Sequence, residues 1–368
     1  MRKIAGNAAA LAAAAMLVSA FGSGTAIART PHSGPRPAAA RFMACMVTDI
    51  GGINDRSFNE MTWLGLLAAQ DAKPTTITAK YLPSTTTADY ALNIGVFVRE
   101  KCGIIVTVGF LMANATEAAA KAHPRRKFAI VDCTYRSGCL SGKRLKNLDQ
   151  LAFNVVQDGF LGGYLAAGMS KTHVVATYGG EQFGTVTIYM DGFWDGVQYY
   201  NSRHHAHVKV LGWNEKTQRG DFIRSFRNRA AAAAITKKFI KMGTDVIFPV
   251  AGGADLGTGK AVSDADAAGK KVSIEGHDVD SCLRTPVYCT LFLTTVTKGI
   301  AAEVKATVLA ASSGKDPTKY VGTLANAGVA LGPYHFDTTV PAALTTELKK
   351  IKDAIERGKI VPATKSPV

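Results

Sequence analysis

The segment VTDIGGINDRSFN at residues 47–59 predicts the first strand–turn–helix unit of an α/β fold. It continues from the apolar run Phe42–Val47, which has the length and composition of a buried β-strand. A pair of glycines then forms a turn at which the backbone can come close to a ligand. Asp55 or Ser57 would cap the helix that follows.

Short β-branched runs alternate with longer helical patterns along most of the chain. Strands are predicted at Phe42–Val47, Ile104–Val108, Phe128–Val131 and Leu151–Val155, and then at His173–Tyr178, Val208–Leu211, Asp245–Val250 and Val272–Glu275. This alternation is typical of parallel βαβ units whose helices cover both faces of a sheet. The two sets of strands predict two similar lobes, and a closed (β/α)8 barrel is the structural alternative.

The C-terminal third indicates how the lobes are connected. A strand at Tyr288–Leu293 and a helix at Thr297–Ala311 precede the stretch Tyr320–Phe336, whose glycines break the alternation. We interpret this stretch as a crossing of the chain between lobes. The first lobe is predicted to contain residues 42–156 and 282–320, and the second lobe residues 157–281 and 321–368.

The N-terminal residues 1–28 are predicted to be a signal peptide. A basic start precedes the apolar stretch Ala8–Ala20, and the sequence AIA at 26–28 has the small–x–small pattern of a cleavage site. Residues 29–41 are then predicted to form a flexible leader. The protein is expected to be exported to an extracellular, periplasmic or cell-surface location, and the lack of a cysteine at the cleavage site argues against a lipid anchor there.

The composition is that of a globular protein with a substantial core. The chain has 368 residues, of which 47% are hydrophobic, and its formal net charge is +15. The lysines and arginines are scattered along the chain and do not form one stripe together with aromatic residues. Nucleic acid is therefore not predicted as a partner.

The cysteines indicate disulfide bonds. Six are present, at Cys45, Cys102, Cys133, Cys139, Cys282 and Cys289. An even number in an exported chain favours disulfides, and the lack of CxxC or HxxxH spacing argues against the alternative of a zinc site. Cys133/Cys139 and Cys282/Cys289 could each close a short loop, and the remaining two would join neighbouring strands, although six cysteines allow other pairings.

Several predicted strands end in residues suited to ligand binding. Asp49, Asp132 and Asp278 each follow a strand, and Gly252 and Gly253 follow another. In open α/β sheets, ligands bind beyond the carboxyl ends of the strands. These four strand ends therefore predict a binding site, although aspartate and glycine are also common turn residues.

The segment at 47–59 resembles the signature of the basic membrane protein family of solute-binding proteins, which includes purine nucleoside receptors of ABC transporters. Further motifs follow in the family's order, namely GGYLAAG at 162–168, DGFWDGV at 191–197, GW at 212–213, AGG at 251–253 and HDVD at 277–280. The resemblance covers roughly residues 42–340. It implies a type I periplasmic-binding-protein fold, in which two Rossmann-like lobes enclose a cleft and are joined by a three-strand hinge.

The resemblance also implies a set of ligand contacts. Asp49, Phe58, Asn59 and Asp132 would contact a purine base, Gly252 and Gly253 would lie beside the sugar, and Asp278 and Lys298 would hold the ribose hydroxyls. A second aromatic side chain would stack on the base from the other lobe. Phe248 is the candidate for that role, with Phe193 as the alternative.

These expectations together describe a solute-binding protein of an ABC importer. It would close around a purine nucleoside or a related small polar ligand and be recognised by a membrane permease. It is expected to be a monomer, with no cofactor, no metal and no catalytic residues. A nucleoside-processing enzyme and an extracellular binding or regulatory protein outside transport are the alternatives.

Overall fold

The computed structural model describes residues 41–315, 319–335 and 340–368. The predicted signal peptide and all but the last residue of the predicted leader lie outside these ranges. Among the described residues, no helix is both long enough and apolar enough to cross a membrane.

Strands and helices alternate along the described chain. The strands are β1 (Phe42–Val47), β2 (Ile77–Leu82), β3 (Ile104–Val108), β4 (Lys127–Val131), β5 (Leu148–Phe153), β6 (Val174–Gly179), β7 (Lys209–Leu211), β8 (Trp213–Asn214), β9 (Arg219–Gly220), β10 (Val246–Val250), β11 (Ser273–Asp278), β12 (Phe292–Lys298), β13 (Lys319–Gly322) and β14 (Val329–Leu331). The α-helices are α1 (Phe58–Ala72), α2 (Asp89–Arg99), α3 (Ala113–Ala122), α4 (Val156–Met169), α5 (Gly184–His204), α6 (Arg229–Lys241), α7 (Leu256–Ala267), α8 (Ser281–Arg284), α9 (Ile300–Ser312) and α10 (Ala342–Glu356).

The strands form two separate six-stranded sheets and one short hairpin. The first sheet has the order β13-β5-β4-β3-β1-β2, and all of its strands are parallel. The second has the order β14-β12-β11-β10-β6-β7, in which β14 alone is antiparallel to its neighbour. Neither sheet closes on itself, so the barrel alternative is wrong and the predicted type I periplasmic-binding-protein fold is confirmed.

The chain crosses between the sheets three times, after β5, after β12 and after β13. The last crossing lies within Tyr320–Phe336, where a break in the alternation indicated it. The strand Phe292–Lys298 pairs in the second sheet, whereas the sequence analysis assigned residues 282–320 to the first lobe. The chain returns to the first lobe only at Gly299, after which α9 packs against α1.

The buried faces of the sheets explain why the strands could be recognised. Every residue of β3 and β10 is buried, as expected for central parallel strands covered on both faces. Strand β2 was not predicted, because it lies at the edge of its sheet and is partly exposed. The predicted strand at Tyr288–Leu293 is displaced, since Pro286–Leu291 forms a 3-10 helix and the strand begins at Phe292.

Three disulfide bonds stabilise the chain. They join Cys45 to Cys102, Cys133 to Cys139, and Cys282 to Cys289, as predicted. The first links β1 to the loop that directly precedes β3, and the other two close short loops after β4 and around α8. The disulfide after β4 begins one residue beyond Asp132, so it also restrains a wall of the cleft described next.

Candidate functional site

A cavity of about 560 Å³ lies between the two lobes, at the carboxyl ends of their strands. Its lining includes Asp49, Asp55, Phe58, Asn59, Phe110 and Asp132 from the first lobe, and Glu181, Tyr189, Phe226, Gly252, Gly253, Asp278 and Lys298 from the second. Eight of the nine predicted contact residues are therefore brought to one cavity, and Phe248 is not among its lining residues.

The turn after β1 holds a carboxylate at the wall of the cavity. The Asn59 Nδ2 group donates to Asp49 Oδ1 at 2.8 Å and to Asp55 Oδ2 at 2.9 Å, and Asn59 Oδ1 accepts from the Asp49 backbone N–H at 3.1 Å. The amide group of Asn59 is thus occupied within its own lobe. Asn59 therefore holds Asp49 in position, and the expected contact between Asn59 and a ligand stays a prediction.

Asp49 presents one carboxylate oxygen that is not used by the fold. Its Oδ1 accepts from Asn59 and from the Gly51 backbone N–H, whereas no hydrogen bond reaches Oδ2 from any described residue. Burial raises the pKa of Asp49 to about 6, although the hydrogen bonds from Asn59 and Gly51 act in the opposite direction. Asp49 Oδ2 is therefore an acceptor available to a ligand.

Asp55 is the residue that caps α1. Its carboxylate accepts from the backbone N–H groups of Ser57, Asn59 and Glu60 at 2.8–3.1 Å. The side chain of Ser57 makes no capping bond, and its hydroxyl donates across the cleft to Asp278 Oδ2 at 2.9 Å. Of the two predicted capping residues, Asp55 therefore caps the helix, whereas Ser57 connects the two lobes.

Lys298 lies at the centre of a buried ionic network. Its Nζ forms an ion pair with Asp132 Oδ2 and lies 3.3 Å from Asp278 Oδ1, and these three residues are each 6–8% exposed. Asp278 Oδ1 also accepts from the Tyr189 hydroxyl at 2.6 Å. The network joins the first lobe, through Asp132, to the second lobe.

The lysine and the carboxylates of this network stabilise one another in their charged forms. Burial alone would raise the pKa of Asp278, but the neighbouring Lys298, His277 and hydrogen-bond donors hold it below its ordinary value. Burial would likewise lower the pKa of Lys298, but the two carboxylates outweigh burial and raise it. The site therefore offers a fixed cation between two acceptors.

Two backbone features aim the carboxylates into the cleft. Asp132 directly follows the buried end of β4, and Asp278 is the last residue of β11. Both have left-handed φ angles, of 57° and 63°. Aspartate tolerates this conformation better than most residues, and it turns the chain sharply at the end of a strand. Lys298 was predicted within a helix, but it is the last residue of β12, so it too lies at a strand end.

The aromatic walls differ from those predicted. Phe248 and Phe193 are fully buried, and their rings pack against each other at 5.3 Å in the core of the second lobe. The assignment of either one to stacking on a ligand is therefore corrected. Phe58 does line the cavity, and Lys298 Nζ lies 5.5 Å from the centre of its ring.

Three further aromatic residues line the cavity and were missed from the sequence, namely Phe110, Tyr189 and Phe226. Phe110 comes two residues after β3, so the strand-end rule that found Asp49 and Asp132 would also have found it. Its ring lies 6.4 Å from that of Phe226 in the other lobe. Phe226 lies in an irregular connection, for which the sequence carried no signal.

Gly252 and Gly253 provide an open wall beside Phe226. Gly252 has a φ of 57°, and the nearest atoms to a side chain added there would belong to Phe226, at 3.7 Å. The Ala254 backbone N–H donates to Phe226 O at 3.0 Å, which fixes this wall. The left-handed backbone conformation favours a glycine at Gly252, and the missing side chain leaves room for a ligand.

The sequence relationship agrees with this arrangement. The Bmp family model, described as ABC transporter substrate-binding protein PnrA-like, matches residues 42–298. The chain belongs to the Bmp family. This membership places it in a family of extracellular substrate-binding proteins of ABC transporters.

Individual relatives support the assignment to Bmp. The chain is 28% identical over 86% of its length to the ABC transporter nucleoside-binding protein BmpA of Lactococcus lactis, of which it covers 85%. It is 31% identical over 61% of its length to the CD4+ T-cell-stimulating antigen of Listeria innocua, and it spans only 58% of that protein. One relative, from Pyrococcus horikoshii, is named as a lipoprotein. The expectation that this chain has no lipid anchor at its predicted cleavage site is not supported.

The fold agrees with that of a solved solute-binding protein. The crystal structure of an ABC transporter solute-binding protein from Aeropyrum pernix superposes with a TM-score of 0.75 at 19% sequence identity, covering 88% of this chain and 94% of that one. At this level of identity, the likeness concerns the fold alone.

Proposed function

We propose that this Bmp protein binds a purine nucleoside between its lobes and delivers it to an ABC permease. The Lactococcus relative supports this proposal, because its name describes a nucleoside-binding protein. The observation that carries the proposal is that Asp49, whose Oδ2 accepts no hydrogen bond from a described residue, lines the same cavity as the Asp132–Lys298–Asp278 network.

The cavity has the chemistry that a nucleoside requires. The ring of Phe58 offers an apolar face for a base, and Asp49 Oδ2 offers an acceptor for a base N–H group. Asp278 and Lys298 can accept from and donate to two neighbouring ribose hydroxyls. The aromatic residues Phe110 and Phe226, one from each lobe, are better candidates for a second stacking surface than Phe248.

The nucleoside-processing enzyme is the alternative. In the proposed receptor, Lys298 forms ion pairs with both Asp132 and Asp278, so the cation that these carboxylates share is a lysine side chain and not a metal ion. A receptor needs only to favour its closed form when ligand is present. We therefore propose no chemical step, and a monomer suffices for this function.

Incubation with inosine or guanosine separates these functions. A receptor should return the nucleoside unchanged and gain about 2.7 kcal/mol of stability at a hundredfold excess of ligand over Kd. Release of free base, detected by chromatography, would instead establish the enzyme. A melting temperature that no nucleoside changes would contradict nucleoside binding altogether.

A further inference from the structure

Three arginines line the cavity and form no ion pair with a carboxylate in the described part of the chain. The segment RSFRNR at residues 224–229 connects β9 to α6, and Arg224, Arg227 and Arg229 all belong to the cavity lining. Among the described residues, the only arginine in an ion pair is Arg284, which pairs with Glu60. Glu181 lines the same cavity but forms no ion pair with the three arginines.

The backbone of this segment is held in place on both sides. Ser225 Oγ accepts from the backbone N–H groups of Arg227 and Asn228, both at 3.1 Å, and the Ser225 N–H donates to Gly180 O at 3.2 Å. Arg227 Nη1 donates across the cleft to Ile50 O at 3.4 Å. The guanidinium groups therefore extend from a fixed turn that reaches from the second lobe toward the first.

A second, smaller cavity lies beside the one already described. A side chamber of about 80 Å³ shares Asp55, Gly252, Gly253, His277 and Arg229 with the main cavity. Arg56 also lines this chamber. The region where the two cavities meet therefore carries cationic side chains.

We infer that the ligand is a nucleoside with an anionic substituent of the phosphate class, which Arg224, Arg227 and Arg229 bind. This inference rests on the proposed nucleoside function. A neutral nucleoside carries no negative charge to balance three guanidinium groups, whereas phosphate oxygens are anionic and accept hydrogen bonds from guanidinium in a planar, bidentate geometry. Since Asp278 and Lys298 are assigned to the 2′ and 3′ hydroxyls, the substituent is placed at the 5′ position.

Calorimetry with guanosine and guanosine 5′-monophosphate tests this inference. The monophosphate should bind about tenfold more tightly than guanosine at low ionic strength, because charged hydrogen bonds to exposed arginines add modest affinity. Added salt should reduce this advantage, since the arginines are exposed to solvent. In the variant R224Q/R227Q/R229Q, the ratio of the two affinities should fall to about one.

The matched control is Arg219→Gln, which removes a cation from β9, next to the same segment but outside the cavity lining. This variant should keep the preference for the monophosphate. Equal or weaker binding of the monophosphate by the natural protein, with guanosine bound, would overturn the inference and leave the proposed function intact. A preference that survives in the triple variant would also overturn it, whereas failure of every nucleoside to bind would overturn the proposed function itself.

Discussion

At the scale of single residues, the site divides into groups that face the ligand and groups that hold them. Asp49 lines the cavity and has an Oδ2 atom that no described residue bonds, and the amide group of Asn59 holds Asp49 and Asp55. Lys298 has both functions, because it connects two carboxylates and also lines the cavity. Substitutions of these residues should therefore affect binding in distinguishable ways.

Replacement of Asp49 by alanine should abolish most nucleoside binding without unfolding the protein. The loss of a charged acceptor should weaken binding by about 1.5–3 kcal/mol, which is roughly 10-fold to 150-fold. Calorimetry gives the affinity, and thermal unfolding without ligand gives the stability. Asp71→Ala, an exposed position on α1 of the same lobe, is the control and should change neither quantity.

The elevated pKa of Asp49 predicts that binding depends on pH. Because burial raises this pKa from its ordinary value to about 6, the carboxylate gains a proton as the pH falls through that value and loses its charge as an acceptor. Affinity for guanosine should therefore be constant above about pH 7 and decline below pH 6. The Asp49→Asn variant should show a flatter profile, and an unchanged profile would assign the titration to another group.

The residues that sequence reasoning placed correctly are those that follow predictable strands. Asp49, Asp132 and Asp278 were found because a buried strand ends beside each of them. Phe248 was misplaced for a physical reason. All residues of β10 are buried, so the sequence shows no alternation that would tell which face of the strand a side chain occupies.

At the scale of secondary-structure elements, the disulfides act on different parts of the first and second lobes. The bond Cys45–Cys102 closes a segment of 57 residues across β1 and the start of β3, whereas Cys282–Cys289 closes only 7 residues. In a chain-entropy description, the longer closure restricts the unfolded chain more strongly. The two bonds should therefore differ in their contribution to the free energy of unfolding.

Removal of the long-range disulfide in the variant C45A/C102A should lower the free energy of unfolding by ~2–5 kcal/mol. The variant C282A/C289A serves as the matched comparison and should lose less, because its closed segment is shorter. Urea denaturation of both variants and of the natural protein measures the difference. The opposite order of stabilities would show that local packing decides these contributions and not the length of the closed segment.

Element boundaries limited the sequence analysis near the second crossing. The strand that carries Lys298 was predicted too early, since the pattern from residue 288 onward combines a 3-10 helix with the strand. As a result, Lys298 was assigned to a helix and the strand to the wrong sheet. Short apolar runs look alike in helices and in strands, so periodicity alone does not assign their conformation. The strand with which such a run pairs decides it.

At the scale of the whole molecule, the lobes contact each other directly across the mouth of the cleft. Arg284 of α8 forms an ion pair with Glu60 of α1, and Ser57 donates to Asp278. Contacts of this kind exist only when the lobes are close together. They therefore stabilise the closed form relative to an open one.

Loss of the Arg284–Glu60 ion pair should favour the open form and weaken ligand binding. Since partly exposed ion pairs contribute up to about 1 kcal/mol, Arg284→Gln should lower the affinity for guanosine by up to about fivefold. Small-angle scattering of the free variant should show a larger radius of gyration. Lys80→Gln, which removes the 2.9 Å ion pair with Glu100 inside the first lobe, is the control and should alter neither measurement.

The position of Lys298 has a mechanical consequence. It lies one residue before Gly299, where the chain passes from one sheet to the other. During a rigid rotation, atoms travel in proportion to their distance from the axis, so groups beside a pivot are displaced least. We therefore expect the contact between Lys298 and Asp132 to persist while the outer rims of the lobes separate. The ligand-free receptor then contains no buried Lys298 charge without a partner, which would be strongly destabilising.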